Sequence, residues 1–208
     1  MKVKLDTDFL DYYDHHFDRE GIPFHRLASF NFSRPEMLRI LQEEMGSLVP
    51  RHGIGKDTII SSADLGAVWV VHRDLRAHRG EGKVLCSGHG VLELYPQAFV
   101  VQYIAADSHS FRYLQIGNRA FWLSYHSQND WRSNVGDVKV LCLGETKPTF
   151  IKPKWSLFAI DYVVNSSEGP FYAIDLNTAP GLTGTGIEKL LPPTVAAQLI
   201  KDALDPLV

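Results

Sequence analysis

The sequence predicts an α+β fold of mainly antiparallel strands with helices packed on them, and three observations carry that prediction. Runs rich in β-branched and aromatic residues follow one another at 67–71, 99–104, 111–116, 120–125 and 138–143, without the regular helical spacers of a doubly wound sheet. Turn chemistry joins neighbouring runs: Gly117-Asn118 reads as a two-residue hairpin, and the polar stretch 165–170 joins strands expected at 157–163 and 171–176. Helical periodicity is confined to the flanks, at 33–46 and 193–204.

In the first helix Ser33 is a candidate N-cap, Glu36 completes a capping box, and Gly46 ends the segment. Met37, Leu38, Ile40, Leu41 and Met45 supply one apolar face. The chain has 208 residues, 45% of them hydrophobic and 11% aromatic, which is enough for a core in one domain or two small lobes. No internal repeat or low-complexity linker divides it.

A net charge of −3 argues against a protein that coats nucleic acid or an anionic membrane, since both need a concentrated positive face. Cys86 and Cys142 have neither metal-ligand nor disulfide-framework spacing, so a reducing cytoplasm is expected. The opening residues mix charge with apolar side chains and hold no continuous apolar stretch, so neither a signal peptide nor a membrane anchor is expected. On a helix, Asp11, Asp14, His15 and Asp18 would share a face, which reads as a solvated face in preference to a metal cluster.

The richest segment pairs Ala159-Ile160-Asp161 with Asp175-Leu176-Asn177-Thr178-Ala179-Pro180-Gly181. Residues two apart on a strand face one side, so Asp175 and Asn177 present oxygen ligands together, and Asp161 on the neighbouring strand reaches the same point. Such a set suits Mg²⁺, a hard cation commonly shared with phosphates; the plain alternative is a pair of turn formers at a strand end.

These residues resemble the ATP-grasp superfamily, in the branch of carboxylate–amine ligases that includes ribosomal-protein glutamate ligases, with Asp175 standing where glutamate is usual. The resemblance implies two small α+β lobes clasping a nucleotide, a Gly-loop lobe near 33–103 and a metal-binding lobe near 104–208, with 1–32 as an extension. It also implies ATP with Mg²⁺ or Mn²⁺ held by Asp161, Asp175 and Asn177. The segment at Gln102, Tyr103 and Ile104 resembles the adenine-binding hinge, with Asp107 or Ser108 beyond it for the ribose.

Arg73 falls in the place of the phosphate-binding lysine, followed by a Gly80-Glu81-Gly82 loop within a basic cluster that includes His72, Arg79 and Lys83. Arg34 falls near a second family lysine, and Arg112, Arg132 and Asn134 match residues that face phosphate and acceptor. Guanidinium forks suit phosphate and carboxylate oxygens, whereas a solvent-facing salt bridge is the commoner fate of a single arginine. The implied activity is amide formation through an acylphosphate, acting on small-molecule or peptide carboxylates and amines; an ATP-grasp kinase and a reduced ATP-binding module are the alternatives. Only some 32 residues precede Ser33, fewer than the family's usual N-terminal domain, so either that domain is dispensable or a protein partner supplies it; a homo-oligomer is a separate expectation.

Overall fold

Alternating buried and exposed positions fold the chain into two antiparallel sheets, with a helix lodged where they meet. The computed structural model describes residues 32–76, 81–150, 157–166, 168–178, 180–182, 184–192, 194–196 and 198–199. Helix α1 (Arg34–Arg39) continues as a π-helical turn over Ile40–Glu44. Gly46, at φ +64, lets the chain turn away, and Ser47 N–H donates to the Leu41 carbonyl. The expected capping box is absent: Ser33 makes no side-chain cap bond, and a proline in the first turn leaves one fewer N–H to satisfy.

The first sheet contains β1 (His52–Ile54), β2 (Val68–His72), β3 (Lys83–Ser87) and β4 (Phe99–Gln102), in the order β1-β4-β2-β3. Three helices serve it: α2 (Gly55–Thr58), α3 (Ser62–Gly66) and α4 (Gly88–Leu94). At α3, Ser61 and Asp64 form a true capping box, and Asp64 also pairs with Arg51. Trp69, Val71, Val91 and Val100 form the small core between this sheet and its helices.

The second sheet is larger, with β5 (His109–Ile116), β6 (Arg119–Ser127), β7 (Val138–Thr146), β8 (Leu157–Val163) and β9 (Tyr172–Asn177) in the order β7-β6-β5-β8-β9. Gly117 takes φ +56 in the two-residue turn between β5 and β6, which a side chain would resist. One face packs on the C-terminal segment through Leu114, Leu123, Leu182 and Ile187. The other receives α1: Leu38 and Leu41 are fully buried among Phe99 and Val101 of the first sheet and Tyr113, Phe158 and Ile160 of the second. Burial of each leucine contributes roughly 1.5–3 kcal/mol to that seam.

Sequence periodicity placed the strands of the second sheet within a few residues of their observed bounds. It missed β1, β3, α2, α3 and α4, all seven residues or shorter. The final helix is present at residues 194–196, and its expected end lies outside the described residues. Among the described residues, no helix is long and apolar enough to cross a membrane.

Candidate functional site

The two sheets face each other across an open cleft lined from both, with Val70, His72 and Lys83 on one side and Asp161 and Asp175 on the other. Its position follows from the chain path: β4 leads out of the first sheet through Gln102, Tyr103 and Ile104, and the chain enters β5 of the second within a few residues. Gln102 and Tyr103 donate their amides to Arg51 and Val68 carbonyls at 2.8 and 3.0 Å. Among the described residues the Ile104 N–H has no partner, and Ile104 lies at the rim of the cleft.

On the second-sheet side, antiparallel register sets Asp161 of β8 directly opposite Asp175 of β9. Each carboxylate is held by an arginine. Arg112 of β5 grips Asp161 bidentately, Nε to Oδ1 at 2.7 Å and Nη2 to Oδ2 at 2.9 Å, with both side chains nearly buried. Burial opposes the charge of Arg112, but the Asp161 carboxylate outweighs it and holds the guanidinium above its ordinary value. Tyr125 lies under the guanidinium, 4.8 Å from its carbon to the ring centroid.

Arg34, at the first position of α1, donates from Nη1 to Asp175 Oδ1 and to the Ile174 carbonyl, both at 3.0 Å. Burial would raise the Asp175 carboxyl, but Arg34, Lys83 and Arg112 together hold it below the usual carboxylate range. Asn177 is half-buried further along β9, opposite Ala159, and does not line the cleft. Among the described residues no group of three His, Cys, Asp or Glu side chains converges on a metal position. The carboxylates at this point are Asp161 and Asp175, facing each other across β8 and β9.

The first-sheet wall differs from the sequence expectation. Strand alternation turns Val70 and His72 of β2 into the cleft, which leaves Arg73 exposed and away from the lining. Arg73 instead donates its backbone N–H to the Gly82 carbonyl at 3.0 Å, where Gly82 takes φ +66 to close the turn into β3. The cation on this wall is Lys83, the cross-strand partner of His72. Burial, with Arg34 nearby, pushes the Lys83 amine down to about 8, and burial with Arg34 and Lys83 pushes His72 down to about 3. His72 is thus a neutral neighbour, and Lys83 is the group whose charge a bound anion would favour. The signal that points to both was available: residues of one parity on β2, and the first residue after the Gly82 turn.

Of the remaining expected residues, Arg132 and Asn134 line the cleft from the loop after β6. Arg132 is bidentate to Asp130, at 2.8 Å through Nε and 2.7 Å through Nη2, and lies over the Trp131 ring. Trp131 meets Tyr103 edge-on at 5.8 Å across the mouth. Asp107 is exposed at φ +46 and does not line the cleft, whereas Ser108 does. Arg79 and Gly80 lie outside the described residues.

Two mainly antiparallel sheets with a cleft at their seam match the fold of ATP-grasp ligases of known structure. The ATP-grasp ligase PsnB, solved with a phosphomimetic variant of its minimal precursor, Mg and ADP, superposes with a TM-score of 0.54 at 13% identity, over 84% of this chain and 58% of that one. The D-alanine-D-alanine ligase from Coxiella burnetii superposes with a TM-score of 0.52 at 12% identity, over 85% and 58% respectively. No protein-family model and no curated protein matches the chain. The chain spans 58% of the length of each of those ligases, and at such identities the likeness is one of fold.

Proposed function

We propose that this chain is an ATP-dependent carboxylate–amine ligase that works through an acylphosphate. The observation that carries the reading is the facing pair Asp161 and Asp175, at the base of a cleft walled by Lys83 and Arg34 and rimmed by the Ile104 amide. Two carboxylates suffice for Mg²⁺, which keeps waters and takes its remaining ligands from phosphate. The Asp175 side chain is 38% exposed and retains Oδ2 for such a role, while Asp161 is locked to Arg112. When bound, Mg²⁺ supplies charge neutralisation at the terminal phosphates.

In this reading an oxygen of the acid attacks the γ-phosphorus as ADP leaves. The amine nitrogen then attacks the acyl carbon, phosphate departs with the bonding pair, and the amine proton is lost to solvent. Such chemistry asks the protein for placement and charge more than for a nucleophile of its own. Lys83 and Arg34 would hold phosphate oxygens, Arg112 would keep Asp161 fixed, and Ser108 and Ser110 would offer hydroxyls along the second-sheet wall. Arg132 would approach an acylphosphate only by giving up part of its grip on Asp130.

The test is thermal unfolding under Mg²⁺-ATP titration, comparing wild type with Asp175→Asn, which keeps an acceptor for Arg34 and removes the charge. At a hundredfold excess over Kd a ligand contributes about 2.7 kcal/mol, a midpoint rise of roughly 5–10 °C for a chain of this size. A Mg²⁺-dependent rise lost in the variant supports the site, and amine-dependent ADP release then supports ligation. No rise at any nucleotide concentration ends the reading. A second reading, nucleotide binding without turnover, is favoured by the Arg112 grip on both Asp161 oxygens and predicts the rise with no ADP release.

A further inference from the structure

Where β5 begins, exposed His109 is the cross-strand partner of half-buried His126 on β6. The two imidazoles lie face to face, with ring centroids 3.8 Å apart and planes within 7° of parallel. Backbone pairing explains the approach. The His109 N–H donates to the Ala106 carbonyl at 2.8 Å, and the strands are joined here by the Ser127 N–H donating to the Ser108 carbonyl at 3.1 Å. His109 and His126 therefore form a non-hydrogen-bonded pair, the antiparallel position that brings opposed side chains closest.

The turn that delivers His109 is strained. Asp107 and Ser108 are consecutive at φ +46 and +59, and among the described residues no other non-glycine residue has positive φ. A β-carbon disfavours that region, and such backbone persists where its surroundings over-determine it, ligand clamps among them. Here the turn brings the Asp107 carbonyl to 3.1 Å from His109 Nδ1. A carbonyl only accepts, so Nδ1 carries the proton and Nε2 keeps its lone pair. A backbone carbonyl on the far nitrogen is the usual orienting contact of a metal-ligating histidine. Among the described residues, neither His109 Nε2 nor either ring nitrogen of His126 has a hydrogen-bond partner.

We propose that His109 and His126 form a two-nitrogen site for a borderline divalent transition ion such as Zn²⁺, Cu²⁺ or Ni²⁺, separate from Asp161 and Asp175, with water completing the coordination. At a metal–nitrogen length of about 2.0–2.1 Å and a tetrahedral angle, two ligating nitrogens stand about 3.4 Å apart. A small tilt of rings now 3.8 Å apart closes that gap. Neutral imidazole suits these ions, whereas Mg²⁺ prefers oxygen. Lys139 of β7 is the cross-strand neighbour of His126 on its other side, so local charge does not draw a cation here and binding depends on the nitrogen ligands. His109 also lines the cleft, which places the ion's water-filled positions at the cleft mouth.

Calorimetric titration of the full chain, free of any purification tag, with Zn²⁺ and without nucleotide tests the site independently of the ligase reading. His109→Gln and His126→Gln should each weaken Zn²⁺ binding by roughly tenfold or more, since either change removes one of two ligands. Circular dichroism confirms that each variant is folded. Electron paramagnetic resonance of the Cu²⁺-loaded chain supplies a readout that a merely structural role would not move: two imidazole nitrogens coupled to the metal in wild type, and one fewer in either variant. Absence of Zn²⁺ binding up to millimolar concentration, an affinity indifferent to both substitutions, or a Cu²⁺ spectrum that neither substitution changes would overturn the proposal.

Discussion

Replacing Lys83 with methionine keeps an unbranched side chain of similar reach and removes one charge from the cleft wall. Lys83 is lowered from an ordinary value of 10.5 to about 8, chiefly by burial. At about 1.36 kcal/mol per unit, that difference makes the charged form roughly 3 kcal/mol costlier in the folded chain. Lys83→Met should therefore raise the midpoint of the nucleotide-free protein, with roughly 6–12 °C as the ceiling because the cleft is open to water. Below pH 8 folded and unfolded wild type both keep this proton, so the gap between variant and wild type is full there. Between about 8 and 10.5 the unfolded chain holds the extra proton, wild-type stability rises with pH, and the gap closes. The same variant should bind Mg²⁺-ATP more weakly, since losing one charge-assisted contact of about 1.5–3 kcal/mol costs roughly ten- to hundredfold in Kd. Calorimetric scans from pH 6 to 11 and nucleotide titration read both effects. A nucleotide-free midpoint at or below the wild-type value, with an unchanged pH slope, refutes the strained buried amine. A raised midpoint with unchanged nucleotide affinity refutes its role on phosphate.

Arg112→Met leaves the Asp161 carboxylate buried without its partner, and a urea titration should show a loss of about 3–5 kcal/mol; a loss under about 1 kcal/mol would mean that water already screens the pair. Gly136→Ala forces a side chain onto φ +77 and brings its Cβ to 2.1 Å from Asn129 Oδ1, the atom that accepts the Asp137 N–H. This change should lower stability by at least about 1 kcal/mol and alter the near-ultraviolet dichroism of Trp131, which the same loop carries over the cleft. An unchanged spectrum would show that the loop does not depend on that turn.

Period-two patterning made the second sheet legible because its strands are long, and a two-residue turn fixes one of its registers. The first sheet was less legible: β1 has three residues, and β3 begins at a lysine directly after a glycine turn, so neither offers a window in which periodicity accumulates. The same limit governed the site. Strand parity singles out Asp161 and Asp175, the family resemblance alone singles out Arg34 and Arg132, and the fold brings all four to one cleft. The resemblance favours Arg73 over His72 and Lys83 because Arg73 falls in the place of the family's lysine, but position along the sequence does not show which member of a basic cluster a strand turns inward. Asn177 satisfied the parity rule and still lies off the lining, since parity selects a face and not how far along it a cavity extends.

Arg34 has a consequence for motion. Its backbone N–H donates to the Leu75 carbonyl, just beyond the first sheet, at 2.8 Å, while its side chain holds Asp175 and Ile174 in the second. One residue thus works as a rivet through both halves of the molecule. A ligand that draws Asp175 away from Arg34 loosens the rivet, and a separation of the halves weakens the hold on Asp175 by the same linkage. Ease of opening and state of charge at the cleft base become one mechanical variable, set at the first turn of α1.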